Sequence, residues 1–297
     1  MKILPNILKL RHEAEINIST LPALLMMADK ISGTILHGMH SQRKSGAGEK
    51  FWQFREYTQS DHLQDIDWRQ SAKNDHIFIK QKEWQTTQKT YLWCASGSSM
   101  NYSSAKNIYS KQACAQIISL SLALLLRRSE EQVGLFGDLK TGKSDDKMQK
   151  IGQILLDNSN IEQSLPNSLD FALPQHSSFI AIGDFLAPIN DISDAFSSIS
   201  MAAQNALIIQ IIDPAELDLT YRGRVKFKDI NSNESTVINH VASVRSQYKK
   251  RMEAHINQVR LLCYERGWSY VLHKTDTDIA QTLKDIWLMM DDKEGKS

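Results

Sequence analysis

YLWCASGSSM, residues 91–100, opens on a short apolar run, Tyr91-Leu92-Trp93-Cys94, and then breaks into small polar residues, Ser96-Gly97-Ser98-Ser99. A long helical pattern follows over 105–128. Strand, small-residue loop and helix in that order is how an open α/β sheet builds a site in the crevice outside the carboxyl ends of its strands. Downstream the same alternation repeats. Apolar runs that read as strands lie at 133–136, 179–182, 207–212 and 269–273. Between and after them lie amphipathic helical patterns at 146–157, 189–204, 241–266 and 279–290. Short strands alternating with longer helices predict a mostly parallel sheet with helices on both faces. Further short strands are expected at 225–227 and 236–239.

Upstream the pattern is different. Residues 21–36 carry apolar residues at helical spacing, with Thr20 positioned as an N-cap. The aromatic-rich stretch 51–57 and residues 77–80 read as strands flanking a helical turn within 60–73. The expected organisation is therefore an N-terminal helical segment over 1–45 and a small strand-containing segment over 46–88. The α/β domain follows over 89–290, and then a frayed charged tail over 291–297.

Composition bounds the function. The chain has 297 residues, 41% hydrophobic and 23% charged, with a formal net charge of +1. That balance is ordinary for a globular protein, and no global field argues for nucleic acid or an anionic membrane. Cys94, Cys114 and Cys263 are far apart and form no Cys-x-x-Cys pair, so they read as reduced core thiols rather than ligands or bridges. The longest apolar run, over 117–126, is well short of the about 20 residues of a membrane span, and the N-terminus lacks the pattern of a signal peptide. The expectation is a cytoplasmic protein with no stable membrane insertion and no nucleic-acid partner.

Several blocks carry a family resemblance: Gly48-Glu49, Phe54-Arg55-Glu56-Tyr57, Asp65-Ile66-Asp67-Trp68-Arg69, Ser71-Ala72 and Glu83, followed by Val133-Gly134-Leu135, Asp184-Phe185-Leu186 and Asp213-Pro214-Ala215-Glu216. In this order and spacing the chain resembles the bacterial domain-of-unknown-function-fifty-eight family. The resemblance implies a von Willebrand factor A-like α/β domain preceded by a small strand-containing segment. It implies an association with MoxR-type AAA+ ATPases in assembling or activating other complexes, and no established enzymatic activity. No resident cofactor is expected.

The resemblance also implies where a metal would sit. Von Willebrand A-like domains often carry a metal-ion-dependent adhesion site, Asp-x-Ser-x-Ser on the loop after the first sheet strand, with a threonine and a second aspartate from other loops. Mg²⁺ is hard and octahedral and takes carboxylate, hydroxyl and water oxygens. Aligned without gaps, Ser99 falls on the last serine, Gly97 on the first and Ala95 on the aspartate, while Asp184 stands as the second aspartate and Thr141 as the threonine. The expected site is degenerate; an Mg²⁺-dependent adhesion-type domain is the alternative.

Two other stretches compete. GDLKTGKS, residues 137–144, fits the phosphate-loop pattern with Gly137, Gly142, Lys143 and Ser144, after one predicted strand and before a helix. It gives a nucleotide-binding alternative. Asp145 and Asp146, directly after it, would repel phosphates at the helix N-terminus. The segment holding Phe54, Arg55, Glu56, Tyr57, Asp65, Asp67, Trp68 and Arg69 mixes both charges with aromatics. Either Arg55 and Arg69 pair with the carboxylates while the aromatics pack, or the segment is a recognition surface, since Trp, Tyr and Arg dominate interface hot spots.

Overall fold

A computed structural model describes residues 26, 28–30, 32, 33, 53–57, 66, 68–72, 77–81, 89–105, 109–129, 131–138, 141–157, 163–167, 173–228 and 235–294. The chain divides into two compact units, Met39–Thr87 and the remainder, Met1–Gly38 with Gln88–Ser297. Within the latter unit Asp29 accepts a charged hydrogen bond from Arg128 at 2.7 Å, and Ala28 and Ser32 are buried.

The smaller unit holds β1 (Gln53–Glu56), α1 (Trp68–Ser71) and β2 (Phe78–Gln81). The two strands pair antiparallel, Phe54 opposite Lys80 and Arg55 opposite Ile79. Phe78 N–H donates to Ser71 Oγ at 2.9 Å, tying the helical turn to the second strand.

The larger unit is built on five parallel strands: β3 (Lys89–Cys94), β4 (Gln132–Leu135), β5 (Ser177–Gly183), β6 (Ala203–Ile212) and β9 (Ser269–Lys274). Their order across the sheet is β4-β3-β5-β6-β9, all parallel. The mostly parallel α/β reading therefore holds. A separate antiparallel ribbon pairs β7 (Val225–Lys228) with β8 (Ser235–Ile238).

Helices link the strands: α2 (Lys111–Arg128), α3 (Asp145–Asp157), α4 (Ile189–Ser200), α5 (Pro214–Asp218), α6 (Val241–Glu265) and α7 (Ile279–Glu294). Helix α2 is buried almost all round, with Cys114, Ile117, Ile118, Leu122 and Leu125 in the core, and packs on both α3 and α7. Burial on nearly every side, polar Gln112, Gln116, Ser119 and Ser121 included, makes it the central helix of this layer. Against the other helix pair, α4 and α6, an aromatic chain runs from strand to helix. Trp93 and Phe185 lie 6.1 Å apart, Phe185 and Phe196 5.8 Å, and Phe196 and Trp268 5.4 Å. Such tilted and edge-on pairs add to the burial of the rings.

Several boundaries differ from the sequence reading. Helix α2 starts at Lys111, not 105, because Ser110 accepts a hydrogen bond from Ala113 N–H as N-cap. Helix α4 stops at Ser200, and the chain enters β6 at Ala203, four residues ahead of the expected apolar run. The backbone ladder to β5, Ser177 opposite Ala203 and Ser178 opposite Asn205, extends the strand through residues whose side chains gave no strand signal. Helix α5, one short turn after β6, lies where no helix was expected.

Candidate functional site

All five strands of the sheet point the same way, so the segments leaving β3, β5, β6 and β9 emerge on one edge. The chain passes from β3 to β4 on one side and returns to β5 on the other, and open α/β sheets place their sites at such a reversal. On this edge the polar groups converge on a lysine. Lys111, the first residue of α2, is 0% exposed. Its ammonium donates to Asp184 Oδ2 at 3.0 Å and to Glu216 Oε1 at 2.7 Å. Asp184 follows β5, and Glu216 lies on α5 just after β6.

A second carboxylate network adjoins the first. Asp213 is fully buried and is the N-cap of α5, accepting from Ala215 N–H at 2.8 Å. Its other oxygen accepts from Ser104 N–H at 3.0 Å and from Thr275 Oγ1 at 3.3 Å, joining the segments after β3 and β9. Asp213 N–H in turn donates to Glu216 Oε2 at 3.0 Å, completing a capping box. Burial pushes the Glu216 carboxyl above its ordinary range, and Asp184 adds to this. The Lys111 ammonium and the Asp213 N–H pull it back. Behind the cluster, Gln210 donates to the Asp184 carbonyl at 2.8 Å and accepts from Tyr270 OH at 2.6 Å. The hydroxyls of Tyr102 and Tyr221, 119 residues apart in sequence, hydrogen-bond to each other, and Arg245 donates to the Leu219 and Tyr221 carbonyls. The arrangement links the four segments that follow β3, β5, β6 and β9.

The expected metal residues fare differently from one another. Ser99 and Asp184 both lie at this edge, Ser99 in the turn 98–101. Thr141 does not: its hydroxyl donates to Gln132 Oε1 at 3.0 Å, beside the first residue of β4, at the opposite end of the sheet. Gly97 has φ +116°, a conformation that a serine adopts only under strain. Ala95 is fully buried, and a Cβ added at Gly183 would come within 2.7 Å of the Ala95 Cβ, so the two positions pack against each other as small residues. Asp184 is already paired with an ammonium. Among the described residues no three His, Cys, Asp or Glu side chains converge to hold a metal. The donor set does not fit the adhesion-type metal site that the resemblance implies.

Within 137–144 the described residues, which leave out 139 and 140, do not wrap as a phosphate cradle does. After β4 the chain turns at Gly137, whose φ is +97°, and comes back along the strand. Gly142 N–H donates to Val133 O at 3.0 Å, and Val133 N–H donates to Gly142 O at 3.3 Å. This is a one-residue antiparallel return. It carries Lys143 alongside the start of β4, whereas a cradle needs the loop to wrap from the strand's carboxyl end straight into the helix. Ser144 Oγ accepts from Lys147 N–H at 3.2 Å as a helix cap, and Lys147 Nζ pairs with Asp138 at 2.9 Å. Asp145 is paired with Arg127.

In the smaller unit Phe54, Arg55 and Glu56 lie on β1, Tyr57 follows it, and Trp68 and Arg69 open α1. Asp65 and Asp67 lie outside the described residues, as do the side chains of Phe54, Arg55, Glu56 and Arg69. Ile66 is buried. Trp68 is 66% exposed.

The three thiols match core chemistry. Burial pushes Cys94, Cys114 and Cys263 each up to about 12, which keeps them protonated and unreactive. Lys111, Asp213 and Glu216 escaped the sequence reading as site residues. A signal was present. A lysine at the first position of a helix opposes the positive end of the helix dipole, and the first turn of α2 has no acidic residue to offset it. Such a lysine needs carboxylates from elsewhere.

A family model described as "Protein of unknown function DUF58" matches residues 53–258. No curated protein and no solved structure matches the chain. The matched span takes in β1 through most of α6, including Trp68, Lys111, Asp184, Asp213 and Glu216. The chain belongs to the DUF58 family.

Proposed function

We propose that this chain is a non-enzymatic interaction protein: a von Willebrand A-like α/β domain with a degenerate metal-ion-dependent adhesion site, serving as partner to a MoxR-type AAA+ ATPase in the assembly or activation of other complexes. The observation that carries the interaction reading is Trp68. A tryptophan on a four-residue helical turn, 66% exposed, leaves its ring in water. Tryptophan is among the residues most enriched at hot spots once a partner covers it. Its setting in the Asp65-Ile66-Asp67-Trp68-Arg69 block puts both signs of charge around the ring in sequence, the composition of an apolar anchor with a polar rim. The carboxyl edge of the sheet agrees with this reading. Its lysine and carboxylates are committed to one another, and the thiols are held protonated, an arrangement suited to rigidity rather than to turnover.

The test is direct binding. The purified chain and a MoxR-type ATPase from the same source are mixed with and without ATP, and the complex is followed by light scattering and titration calorimetry. The expected result is an ATP-dependent complex, weakened tenfold or more by Trp68→Ala, a loss of about 1.4 kcal/mol or above. No complex in either nucleotide state sinks the ATPase reading. A complex indifferent to Trp68→Ala removes this residue from the interface.

A further inference from the structure

Lys111 raises a question that its role as a structural ion pair does not answer. Burying an ammonium completely is expensive unless charged partners surround it, and a neutral residue packed in the same place is often as stable. Yet this ammonium is placed where it joins carboxylates from two different strand ends, Asp184 after β5 at 3.0 Å and Glu216 after β6 at 2.7 Å. Asp213, with Oδ1 on Ala215 N–H and Oδ2 on Ser104 N–H and Thr275, is linked to Glu216 through its own N–H. The cluster therefore sets two carboxylates on one fixed cation, with Asp213 tied to Glu216 beside them. Cross-linking oxygen ligands from separate loops is the structural work of a hard divalent ion. A lysine does the same work as a compact point charge with three donors and no demand for octahedral geometry. Its backbone is held in register from two sides, with Lys111 N–H donating to Tyr102 O at 3.2 Å and Ser110 capping the helix.

We infer that the Lys111 ammonium is a tethered replacement for a divalent cation at the carboxyl edge of the sheet, and that its removal converts Asp184 and Glu216 into a site for Mg²⁺ or Mn²⁺. The disagreement between the implied metal motif and the donors present then has a physical cause. Where the resemblance implies a first-loop carboxylate stands Ala95, packed against Gly183, and the charge that faces Asp184 and Glu216 comes from the first residue of the next helix. In the native chain the edge is formed without metal. This inference stands independently of the partner reading, because every readout is made on the isolated protein.

Mn²⁺ is the probe. Wild-type chain and Lys111→Ala are melted in EDTA and in a Mn²⁺ series, and Mn²⁺ affinity is measured by calorimetry and by the loss of free-ion paramagnetic signal. The wild-type melting temperature should be the same in EDTA and Mn²⁺. Lys111→Ala should melt lower in EDTA and recover part of the loss in Mn²⁺, with an affinity at least tenfold above wild type. Adding Asp184→Asn to Lys111→Ala should abolish both the recovery and the binding. Should Lys111→Ala fail to fold on its own, refolding from urea reads the same equilibrium: recovery only when Mn²⁺ is present supports the inference, and equal failure with and without Mn²⁺ overturns it. Equal Mn²⁺ affinity in wild type and Lys111→Ala overturns it too, as does binding that survives Asp184→Asn.

Discussion

His273 shows how much a single buried residue can couple this fold to pH. It sits on β9, fully buried; its Nδ1 lies 2.9 Å from Thr282 Oγ1, and its Nε2 meets no hydrogen-bond partner among the described residues. Burial lowers its pKa from 6.5 to about 4, against the opposing pull of Asp276 and Asp278. The unfolded chain therefore takes up a proton near pH 6.5 that the folded chain refuses until about pH 4. The stability contributed by the neutral ring is fully present above pH 6.5 and is lost as the pH falls towards 4. The expected loss across that window is on the order of 3 kcal/mol. Urea unfolding at pH 7.5 and pH 4.5 should show it in the wild type. His273→Gln, which cannot take up the proton, should flatten the difference between the two pH values by most of that amount. An unchanged pH slope in the variant would assign the acid sensitivity to other groups.

At the scale of elements, the strands of the main sheet were legible and the capping chemistry was less so. Runs such as Tyr91-Leu92-Trp93-Cys94 and Leu207 to Ile212 are apolar because both faces of a parallel sheet are covered, and that signal survives without any tertiary knowledge. The start of α2 was misplaced because 105–110 reads as a continuation of the helix, while the boundary is set by one hydroxyl, Ser110 Oγ on Ala113 N–H at 3.2 Å. The 137–144 stretch was misleading for a related reason. A glycine-rich spacing is compatible both with a phosphate cradle and with a tight return, and only the pairing of Gly142 with Val133 decides between them. The site cluster was the least legible part, since Lys111, Asp184 and Glu216 are brought together across 105 residues of chain by the sheet order alone. The cap gives a prediction at this scale. Ser110→Ala should destabilise the chain by about 1 kcal/mol, read as a lower urea midpoint with an unchanged slope, because it leaves one donor of a buried helix end unsatisfied. Ser110→Asp, which restores an acceptor, should recover most of the loss. Equal stability of wild type and Ser110→Ala would mean that the helix start is held by Lys111 and its carboxylates instead.

For the molecule as a whole, the distribution of burial fixes the order in which its parts open. Strands β5 and β6 sit with neighbours on both sides, and β3 lies between β4 and β5. Leu92, Ile180, Ala181, Ile182, Ile208, Ile209 and Ile211 are all but inaccessible. Each of their amides is released only when two ladders and a covering helix layer separate together, which approaches global unfolding. The β7–β8 ribbon is a pair of four-residue strands, and all of β8 but Ile238 is exposed. An isolated two-stranded ribbon has little to hold it. Helix α6 is intermediate: 25 residues long, it buries only Val241, Ile256, Val259 and Cys263. Native-state hydrogen exchange should therefore protect β3, β5 and β6 most, protect the second half of α6 around Ile256–Cys263 less, and leave β8 close to unprotected. The carboxyl edge supplies the discriminating case. If the Lys111 cluster ties the segments after β3, β5, β6 and β9 into one unit, the amides of Ser104, Ala215 and Thr275, which lie in loops and a single helical turn, should exchange with the slow sheet core and not with the ribbon. Exchange of those three amides at the ribbon's rate would show that the edge opens on its own and that the cluster does not brace it.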